Sequence, residues 1–586
     1  MDNLMLEPLK FYNQKAKNAH AEAVTAHFDD MVARSGVNVD ANRETVKKYH
    51  ATLDCVNKLN KKIAGLTAAF VLLIVLGIAG VIALIVGITG AEYDTATTVG
   101  LIVGGALVAV ISAIAAFAYI RPMIKAQKKI RNEQNDKANS LLSEAQSQMA
   151  PLNAMFNSRD TIALIEKVIP ELDFYPTYTC EHNELLINEY DYIDLTDDQT
   201  SVIDALSGKF RGNPFLYERY VEHSTGTQTY TGTLVISWTT VERDSSGKSR
   251  TVHHSQTLRA SVTKPKPYYN ISTHLGYGSQ AAPDLSFSRT ESDTDELSDR
   301  ALERRIKKGE RKLKKMAEKS ITDGGNFHEM ANSEFDVLYG AHNRNHEVQF
   351  RLLFTPLAQT NTVDLLRSKD GYGDDFNFIK QGKFNIVKSL HAKNWPMTVD
   401  PSVFRSYDID AAKKSFESFN IEYFKSVFFD FAPIMAIPAY MEEPIESEKT
   451  VNKYQCNYSQ YEHEALVNAI GYRAFVHPNS ATEAILKTTL IDKKGDVDRI
   501  RVTAYSYQCI DRIDYVTMMG GDGRLHAVPV PWVEYIPVSA GRDVLLKASD
   551  KNVSQRDVAA SMHGIVAVAL DPSDGYERID KVINGN

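Results

Sequence analysis

The residues of this chain whose spacing most resembles a metal site are histidines. His342 and His346 lie four residues apart and precede Glu347, while His253 and His254 are adjacent. Two histidines at i and i+4 on a helix can bind zinc, but this segment reads as a loop and lacks the H-E-x-x-H arrangement. We therefore predict no metal site and no metal cofactor.

Other candidate groups carry weaker signals. His463 lies between two glutamates without a second histidine nearby, which is typical of a solvated helix face. The glycine-rich run at 520–523 lacks the Lys-Ser/Thr of a P-loop, so it reads as a hairpin turn. Asp374 and Asp375 read as loop residues, and the chain has no G-x-S-x-G nucleophile elbow. We predict no catalytic, cofactor-binding or metal-ligating residues, noting that groups converging from distant positions escape a motif search.

Composition sets the class of protein. The 586 residues are 43% apolar and 24% charged with a net charge of -8, which allows several domains and gives no reason to expect a nucleic-acid partner. The four cysteines, Cys55, Cys180, Cys456 and Cys509, form no CxxC pair. Their scatter fits a reducing cytosol and argues against a disulfide framework or a cysteine-based zinc site.

Two apolar segments organise the chain. Residues 66–88 and 99–120 contain no Asp, Glu, Lys, Arg or His. Each exceeds the ~20 residues that a helix needs to cross a ~30 Å hydrocarbon core. The short acidic turn at 90–95 joins them, so we predict an antiparallel transmembrane hairpin with the lipid bilayer as its first partner.

Basic residues flank the hairpin on both sides, and the turn has none. The flanking cations are Lys47, Lys48, Lys58, Lys61 and Lys62 before it, and Arg121, Lys125, Lys128, Lys129 and Arg131 after it. The positive-inside rule therefore predicts two spans in the inner (plasma) membrane, with both termini cytoplasmic.

The spans themselves argue against transport, because they contain no ionisable side chain apart from the Tyr119 phenol. The second span has a small-residue face made of Gly100, Gly104, Gly105, Ala109 and Ala113. Such a face packs helices closely, either within the hairpin or between subunits of a homo-oligomer.

Apolar stripes continue beyond both spans. The first comprises Val46, Tyr49, Leu53, Val56 and Ile63, and the second Ala138, Leu142, Ala145, Met149, Leu152 and Phe156. We predict that the two helices pair as a stalk, with a kink or restart at Pro151, although each stripe could instead dock separately on the large domain. A break at 35–38, followed by Asp40 or Asn42 as cap, starts the first of these helices.

The predicted fold is α+β: a transmembrane helical hairpin with a cytoplasmic helical stalk and a large β-rich cytoplasmic region. The predicted segments are N-terminal cytoplasmic helices at 1–63, the hairpin at 64–120, the stalk at 121–169, an α+β domain at 170–440 and a C-terminal β-rich region at 441–586.

Alternating β-branched runs predict the strands. Residues 230–241 and 251–262 read as an antiparallel hairpin closed by the prolines at 265 and 267, since proline does not fit a central strand. Further strands are predicted at 348–355, 499–506, 514–519 and 525–530, a hairpin at 376–388, and helices at 335–339 and 357–368.

A strongly basic helix is predicted at 300–319, as an insertion near 295–320, with Leu302, Ile306, Leu313 and Met316 on one side. The pattern is typical of a solvated helix between β elements, and it favours this over a nucleic-acid site. Contact with anionic lipid headgroups is the alternative that the nearby membrane tether suggests.

The centre of the large domain resembles a known family. The residues that carry the likeness are Glu334, Phe335, Tyr339, Glu347, Arg351, Thr355 and Pro356. Their spacing resembles a bacterial family of uncharacterised membrane proteins, a domain of unknown function, which pairs a two-helix membrane hairpin with a cytoplasmic domain bearing an E-A-R-Y-x-L-T-P-like motif. The resemblance covers about residues 60–400. It implies the membrane architecture and no catalytic residues.

The same residues have a physical interpretation as packing. Phe335 and Tyr339 share a helical face, and Arg351 can pair with Glu334 or Glu347. Thr355 followed by proline predicts the cap and first position of a helix.

These patterns predict a hairpin-anchored cytoplasmic scaffold or adaptor that binds a protein partner or the inner membrane surface. A membrane-tethered enzyme with an unrecognised site and an oligomeric pore are the alternatives.

Overall fold

The computed structural model describes residues 3–89, 95–193, 198–243, 247–444, 457–549 and 559–584. Two long apolar helices precede a sheet-rich region, so the mixed helix-and-sheet class is confirmed. Residues 90–94 of the predicted turn at 90–95, residues 244–246 between the two runs of the predicted hairpin at 230–262, and Cys456 lie outside the described residues. The chain divides into a membrane-helix unit, residues 22–160 and 400–420, and a sheet-rich unit, residues 1–21, 161–399 and 421–586.

The N-terminal part is helical. It contains α1 (Pro8–Phe11), α2 (Lys17–Ser35), α3 (Val39–Thr89), α4 (Thr95–Ile114) and α5 (Arg121–Asn153), with π-helical turns at Tyr12–Ala16 and Ala115–Ile120. Gly36, at φ 68°, makes the predicted break before α3. The cap of α3 is Asn38 rather than Asp40 or Asn42, because its side chain accepts a hydrogen bond from the Ala41 amide at 3.0 Å. Pro151 does not restart α5, which ends two residues later.

Both predicted spans are present as helices long and apolar enough to cross a membrane. Their apolar side chains face outward, with Ile88 65% and Ile111 62% exposed, unlike those of a buried core helix. Small residues bring α3 and α4 together: a Cβ added at Gly80 would lie 2.8 Å from both the Ala109 nitrogen and the Gly105 oxygen.

Part of the small-residue face therefore packs against α3, and part does not. Gly105 and Ala109 serve packing within the hairpin. Gly100 and Gly104, by contrast, have no described atom within 4 Å of an added Cβ.

Helices α3 and α5 pack against each other, as the stalk interpretation predicts. The Gln148 side chain of α5 lies 3.3 Å from that of Asn42 and 3.1 Å from that of Thr45. Val56 of α3 and Met149 of α5, both members of the predicted stripes, are buried.

The rest of the chain alternates helices and strands. Its first part contains α6 (Asp160–Val168), β1 (Leu172–Phe174), α7 (Cys180–Tyr190), β2 (Thr200–Phe210), β3 (Asn213–Arg243), β4 (Ser249–Gly278), β5 (Ser286–Arg289), α8 (Asp299–Thr322), α9 (Ser333–Tyr339), α10 (Glu347–Leu353) and α11 (Pro356–Arg367). Its second part contains β6 (Phe376–Gln381), β7 (Phe384–Ser389), α12 (Ile409–Met435), α13 (Gln460–Ile470), β8 (Ile485–Lys494), β9 (Val497–Met519), β10 (Leu525–Ala548), β11 (Ala559–Met562), β12 (Ile565–Ala569) and α14 (Glu577–Asn584).

The strands form two antiparallel sheets, in the orders β1-β2-β3-β4-β7-β6-β5 and β11-β12-β10-β9-β8. Strands β3 and β4 extend beyond their neighbours as a two-stranded ribbon, and β9 and β10 form a second ribbon. The ribbons pack face to face through an apolar cluster that includes Ile236, Leu258, Val528 and Val530.

Two strand predictions are wrong. Residues 348–355 are mostly helix α10, whose Phe350 is buried, because tertiary packing overrides the local strand preference. Pro265 and Pro267 do not close β4, which continues to Gly278. In this stretch no described strand pairs with the other edge of β4, so a missing amide there costs no ladder hydrogen bond.

The other predicted hairpins and helices are confirmed. Strands β3–β4, β6–β7 and β9–β10 pair as expected, although β3, β4, β9 and β10 are much longer than predicted. Helices α9 and α11 also form, and Thr355 caps α11 with Pro356 at its start.

Candidate functional site

Of the four histidines with metal-like spacing, His253 is exposed and the other three have structural partners. His342 Nε2 lies 3.0 Å from the Asp336 carbonyl oxygen, and burial lowers the pKa of its imidazole. His346 caps α10 by accepting a hydrogen bond from the Gln349 amide at 3.2 Å. His254 stacks on Trp238 with ring centroids 5.3 Å apart. In the described part of the chain, no group of three or more His, Cys, Asp or Glu side chains is arranged to hold a metal ion.

The prediction of a solvated face for His463 is wrong. Glu462, His463 and Glu464 are all buried in α13. His463 Nε2 lies 3.3 Å from Asp498, and Glu464 lies 2.8 Å from the Lys487 amine. His463 and Glu464 each contact a group far away in sequence, so the local pattern gave no sign of burial.

The turn at 520–523 is confirmed, since the Gly520 amide donates to the Arg524 carbonyl at 2.8 Å. Asp374 is a loop residue, as predicted, but it is buried and paired with Arg289. The cysteine scatter predicted a reducing environment without a disulfide framework, but Cys180 is disulfide-bonded. Cys55 and Cys509 are free and exposed. Separation in sequence does not limit which cysteines meet in a fold.

A second polar cluster escaped the motif search. His391 contacts Asp375 through Nδ1 and lies 3.4 Å from Asp430 through Nε2, while Tyr217 donates a hydrogen bond to Asp430. Burial opposes the charged imidazole, but the two carboxylates outweigh it and raise the pKa of His391. Tyr372 stacks on the His391 ring at a centroid distance of 3.7 Å. These groups satisfy one another inside the core, which is the arrangement of a structural network.

Helix α8 offers a different kind of site. It contains ten Lys or Arg and four Asp or Glu residues, in a chain whose net charge is -8. A groove of about 780 Å³ runs along it, lined by Leu297, Ala301, Arg304, Arg305, Lys308, Gly309, Arg311, Lys312, Leu313, Lys315, Val337 and His342. Six cations and no carboxylate line this α8 groove.

Helical periodicity explains why the cations share one groove. Arg304, Lys308, Arg311 and Lys315 follow one another at steps of four, three and four residues, so they project from one side of α8. They span about 17 Å of helix axis at ~1.5 Å per residue. Of the acidic residues of α8, only Glu318 continues this spacing, three residues beyond Lys315, and it does not line the groove.

The groove cations are exposed and largely unneutralised. Arg304, Lys308, Arg311, Lys312 and Lys315 are exposed, and none forms an ion pair within the described ranges. The sixth cation, Arg305, pairs with Asp293. Five positive charges are therefore available to a ligand.

The apolar side of α8 fixes it to the sheet-rich unit, and Gly309 and Leu313 of that side also line the groove. Leu302 and Leu313 are buried, and the Ser333 hydroxyl at the start of α9 donates to Glu310 at 2.6 Å. Gly309 permits the closest approach, because a Cβ there would lie 2.4 Å from a methyl carbon of Val337 in α9. The sequence pattern predicted the apolar side but gave no role to Gly309.

The motif at 334–356 forms the packing around α9, the helix against which α8 docks. Phe335 and Tyr339 stack at 5.2 Å and pack with Phe354, which confirms the shared helical face. Arg351 lies 3.7 Å from Glu347, one of its predicted partners.

The central cation beneath α9 is Arg344, which the sequence reading missed. Its fully buried guanidinium contacts Asp336 and Glu347 at 2.7 Å each. It also lies 4.4 Å from the centre of the Phe350 ring. The motif is therefore packing that holds α9, and α9 positions α8.

Comparisons with protein-family models, with curated proteins and with solved structures found no match to this chain.

Proposed function

We propose that this protein is a membrane-anchored scaffold or adaptor whose α8 groove binds anionic lipid headgroups. The observation that carries the proposal is the set of five exposed, unpaired cations in a groove whose lining contains no carboxylate. Clusters of four to eight Lys or Arg on an amphipathic helix close to a membrane are typical of anionic-lipid binding.

The tether supplies the second argument. The two apolar helices keep the sheet-rich unit within reach of one membrane surface, so headgroup binding by α8 becomes an intramolecular event at high effective concentration. Each cation near an anionic surface contributes about 1 kcal/mol, so even modest sites become occupied.

The finer parts of the proposal follow from the sequence. Basic flanks favour the inner (plasma) membrane with both termini cytoplasmic, and a protein partner of the sheet-rich unit is part of the same proposal. Gly100 and Gly104 support contact between spans of different copies. The motif at 334–356 supports kinship with the bacterial membrane-protein family that it resembles.

The test uses the full chain in nanodiscs of neutral lipid, mixed with vesicles rich in anionic lipid. We expect the nanodiscs to float with anionic vesicles and not with neutral ones, and expect flotation to weaken with salt. Lys308→Glu with Lys312→Glu should weaken binding by at least ~30-fold, since the two cations contribute about 2 kcal/mol together.

The matched control lies on the same helix. Lys307→Glu with Lys314→Glu changes the net charge equally but alters cations outside the groove. If both pairs weaken flotation equally, the effect is general charge and the groove has no special role. If the protein binds soluble polyphosphate but no anionic vesicle, the lipid assignment is wrong.

A further inference from the structure

Strand β3 has a long edge along which no other described strand pairs. Its first part pairs with β2 up to Glu222, and its whole length pairs with β4 on the other side. Beyond the backbone bond from the His223 amide to the Gln199 carbonyl, at 2.7 Å, no described strand pairs with this edge.

The register shows which backbone groups face that edge. Pro265 and Pro267 of β4 lie opposite Thr227 and Thr225, and proline has no amide to donate. These pairs are therefore the non-hydrogen-bonded ones, so the odd-numbered residues of β3 direct their N–H and C=O groups away from β4. The His223 amide obeys the same rule.

The other strands of the two ribbons carry prolines or charged residues that hinder pairing with a further strand, and this edge of β3 does not. Strands β4 and β10 carry prolines at 265, 267, 529, 531 and 537, and β9 carries Asp511, Arg512 and Asp514. Prolines and charges are the usual devices that stop edges from pairing. From 224 to 241, β3 contains neither a proline nor a charged residue.

The sequence at this edge is nearly its own mirror image. Residues 225–233 read T-G-T-Q-T-Y-T-G-T, which is symmetric about Thr229 except for the Gln228 and Tyr230 pair. In an antiparallel pairing of two copies centred on Thr229, threonine meets threonine and glycine meets glycine. Cross-strand threonine pairs are favourable, and a two-fold axis makes such an interface self-complementary.

We propose that the free edge of β3 binds the same edge of a second copy, with Thr229 at the two-fold axis. The odd residues then form the hydrogen-bonded pairs, in agreement with the direction of their backbone groups. The five odd threonines from 225 to 233 are exposed on the outer face, so the joined sheets present a continuous threonine surface. This dimer is independent of lipid binding by α8.

Cysteine pairs test the register in the full chain in detergent, with the exposed Cys55 and Cys509 replaced by serine. Thr229→Cys should cross-link into a dimer under mild oxidation, since its Cα atoms would be about 5.5 Å apart, within disulfide range. Thr225→Cys alone should not, because the two copies of residue 225 would be about 27 Å apart. The double variant Thr225→Cys with Thr233→Cys should cross-link again.

Mass measurement by light scattering tests the contact without cysteines. Thr229→Lys places two like charges opposite each other and should weaken dimerisation by at least ~tenfold. Thr257→Lys, on the same outer face but on β4, should leave the dimer unchanged. A monomeric wild type, a dimer that persists in Thr229→Lys, or cross-linking of Thr225→Cys alone overturns the proposal.

Discussion

The charged cluster around His563 joins the two sheets and gives a sharp test of how they are held. His563 lies between β11 and β12, with Nδ1 3.0 Å from Glu462 of α13 and Nε2 3.2 Å from Asp204 of β2. The three side chains are at most 8% exposed. The Tyr178 amide also donates to Glu462, and the Thr398 amide to Asp204, at 2.7 Å each. Burial opposes the charged imidazole, but the two carboxylates outweigh it and raise the pKa of His563 well above its usual range.

The perturbation is His563→Gln, which leaves two buried carboxylates without their cation. Removing one partner of a buried ion pair costs about 3–5 kcal/mol. The sheet-rich unit contains roughly 400 residues, for which the unfolding entropy is about 0.8 kcal/mol per kelvin, so its transition should fall by about 4–6 °C. Scanning calorimetry of the full chain in detergent measures this shift.

The matched variant adds Asp204→Asn and Glu462→Gln to the first substitution. It removes all three charges and keeps groups that can hydrogen-bond, so most of the lost stability should return. A single variant as stable as the wild type, or a triple variant as unstable as the single one, refutes the idea that the ion pairs hold the sheets.

The pH dependence has a definite sign. Because the folded pKa of His563 is raised above its ordinary 6.5, the stabilisation is fully present below pH 6.5 and is lost as pH rises through the folded pKa. In that window the wild type should lose about 1.4 kcal/mol per pH unit relative to the triple variant, or about 1–2 °C. Burial lowers the pKa of Lys380 to about 7, but this group titrates in both proteins and cancels in the comparison. A constant gap between the two proteins from pH 6.5 to about 9 contradicts the assignment.

Two further substitutions test other parts of the molecule. Arg344→Met should lower the free energy of unfolding by about 3–5 kcal/mol, because it leaves two buried carboxylates without their cation. Arg351→Met, at a guanidinium that is 44% exposed, should lower it by less than about 1 kcal/mol. Equal shifts of the two thermal unfolding transitions would contradict this. With free cysteines removed, Thr95→Cys should react with an impermeant thiol reagent in intact cells and Lys308→Cys should not. Disulfides persist mainly in oxidising compartments, whereas the proposed orientation places the disulfide-bonded Cys180 in the cytoplasm, so the labelling decides between the two. The reverse labelling overturns the orientation.

The elements that the sequence predicted correctly depend on local patterns. The hairpin helices follow from apolar length and absence of charge, and the break at Gly36 follows from one glycine. Strand pairs β6–β7 and β9–β10 follow from alternation around a turn. Strand ends were missed at Pro265 and Pro267, because a proline signal alone cannot tell a free edge from a central strand.

Buried charge is what a single segment cannot predict. The run Glu462, His463, Glu464 has the composition of a solvated helix surface, and only the fold places His563, Asp498 and Lys487 against it. The same holds for His391, whose two carboxylates come from residues 375 and 430. Burial of such groups requires partners, and those partners are set by tertiary contacts between distant segments.

Helix α8 combines both situations. Its cationic row is visible in the sequence as steps of four and three, but the sequence does not show whether other elements cover that row. Gly309 shows which side of α8 is covered. Glycine weakens a helix by up to ~1 kcal/mol, and here it lies where Val337 contacts the helix backbone, so α8 docks through this side. Docking through Gly309, Leu302 and Leu313 leaves the charged row exposed, beside a groove whose lining contains no carboxylate. This fixed orientation is the reason that we propose a ligand surface here rather than a solvated insertion.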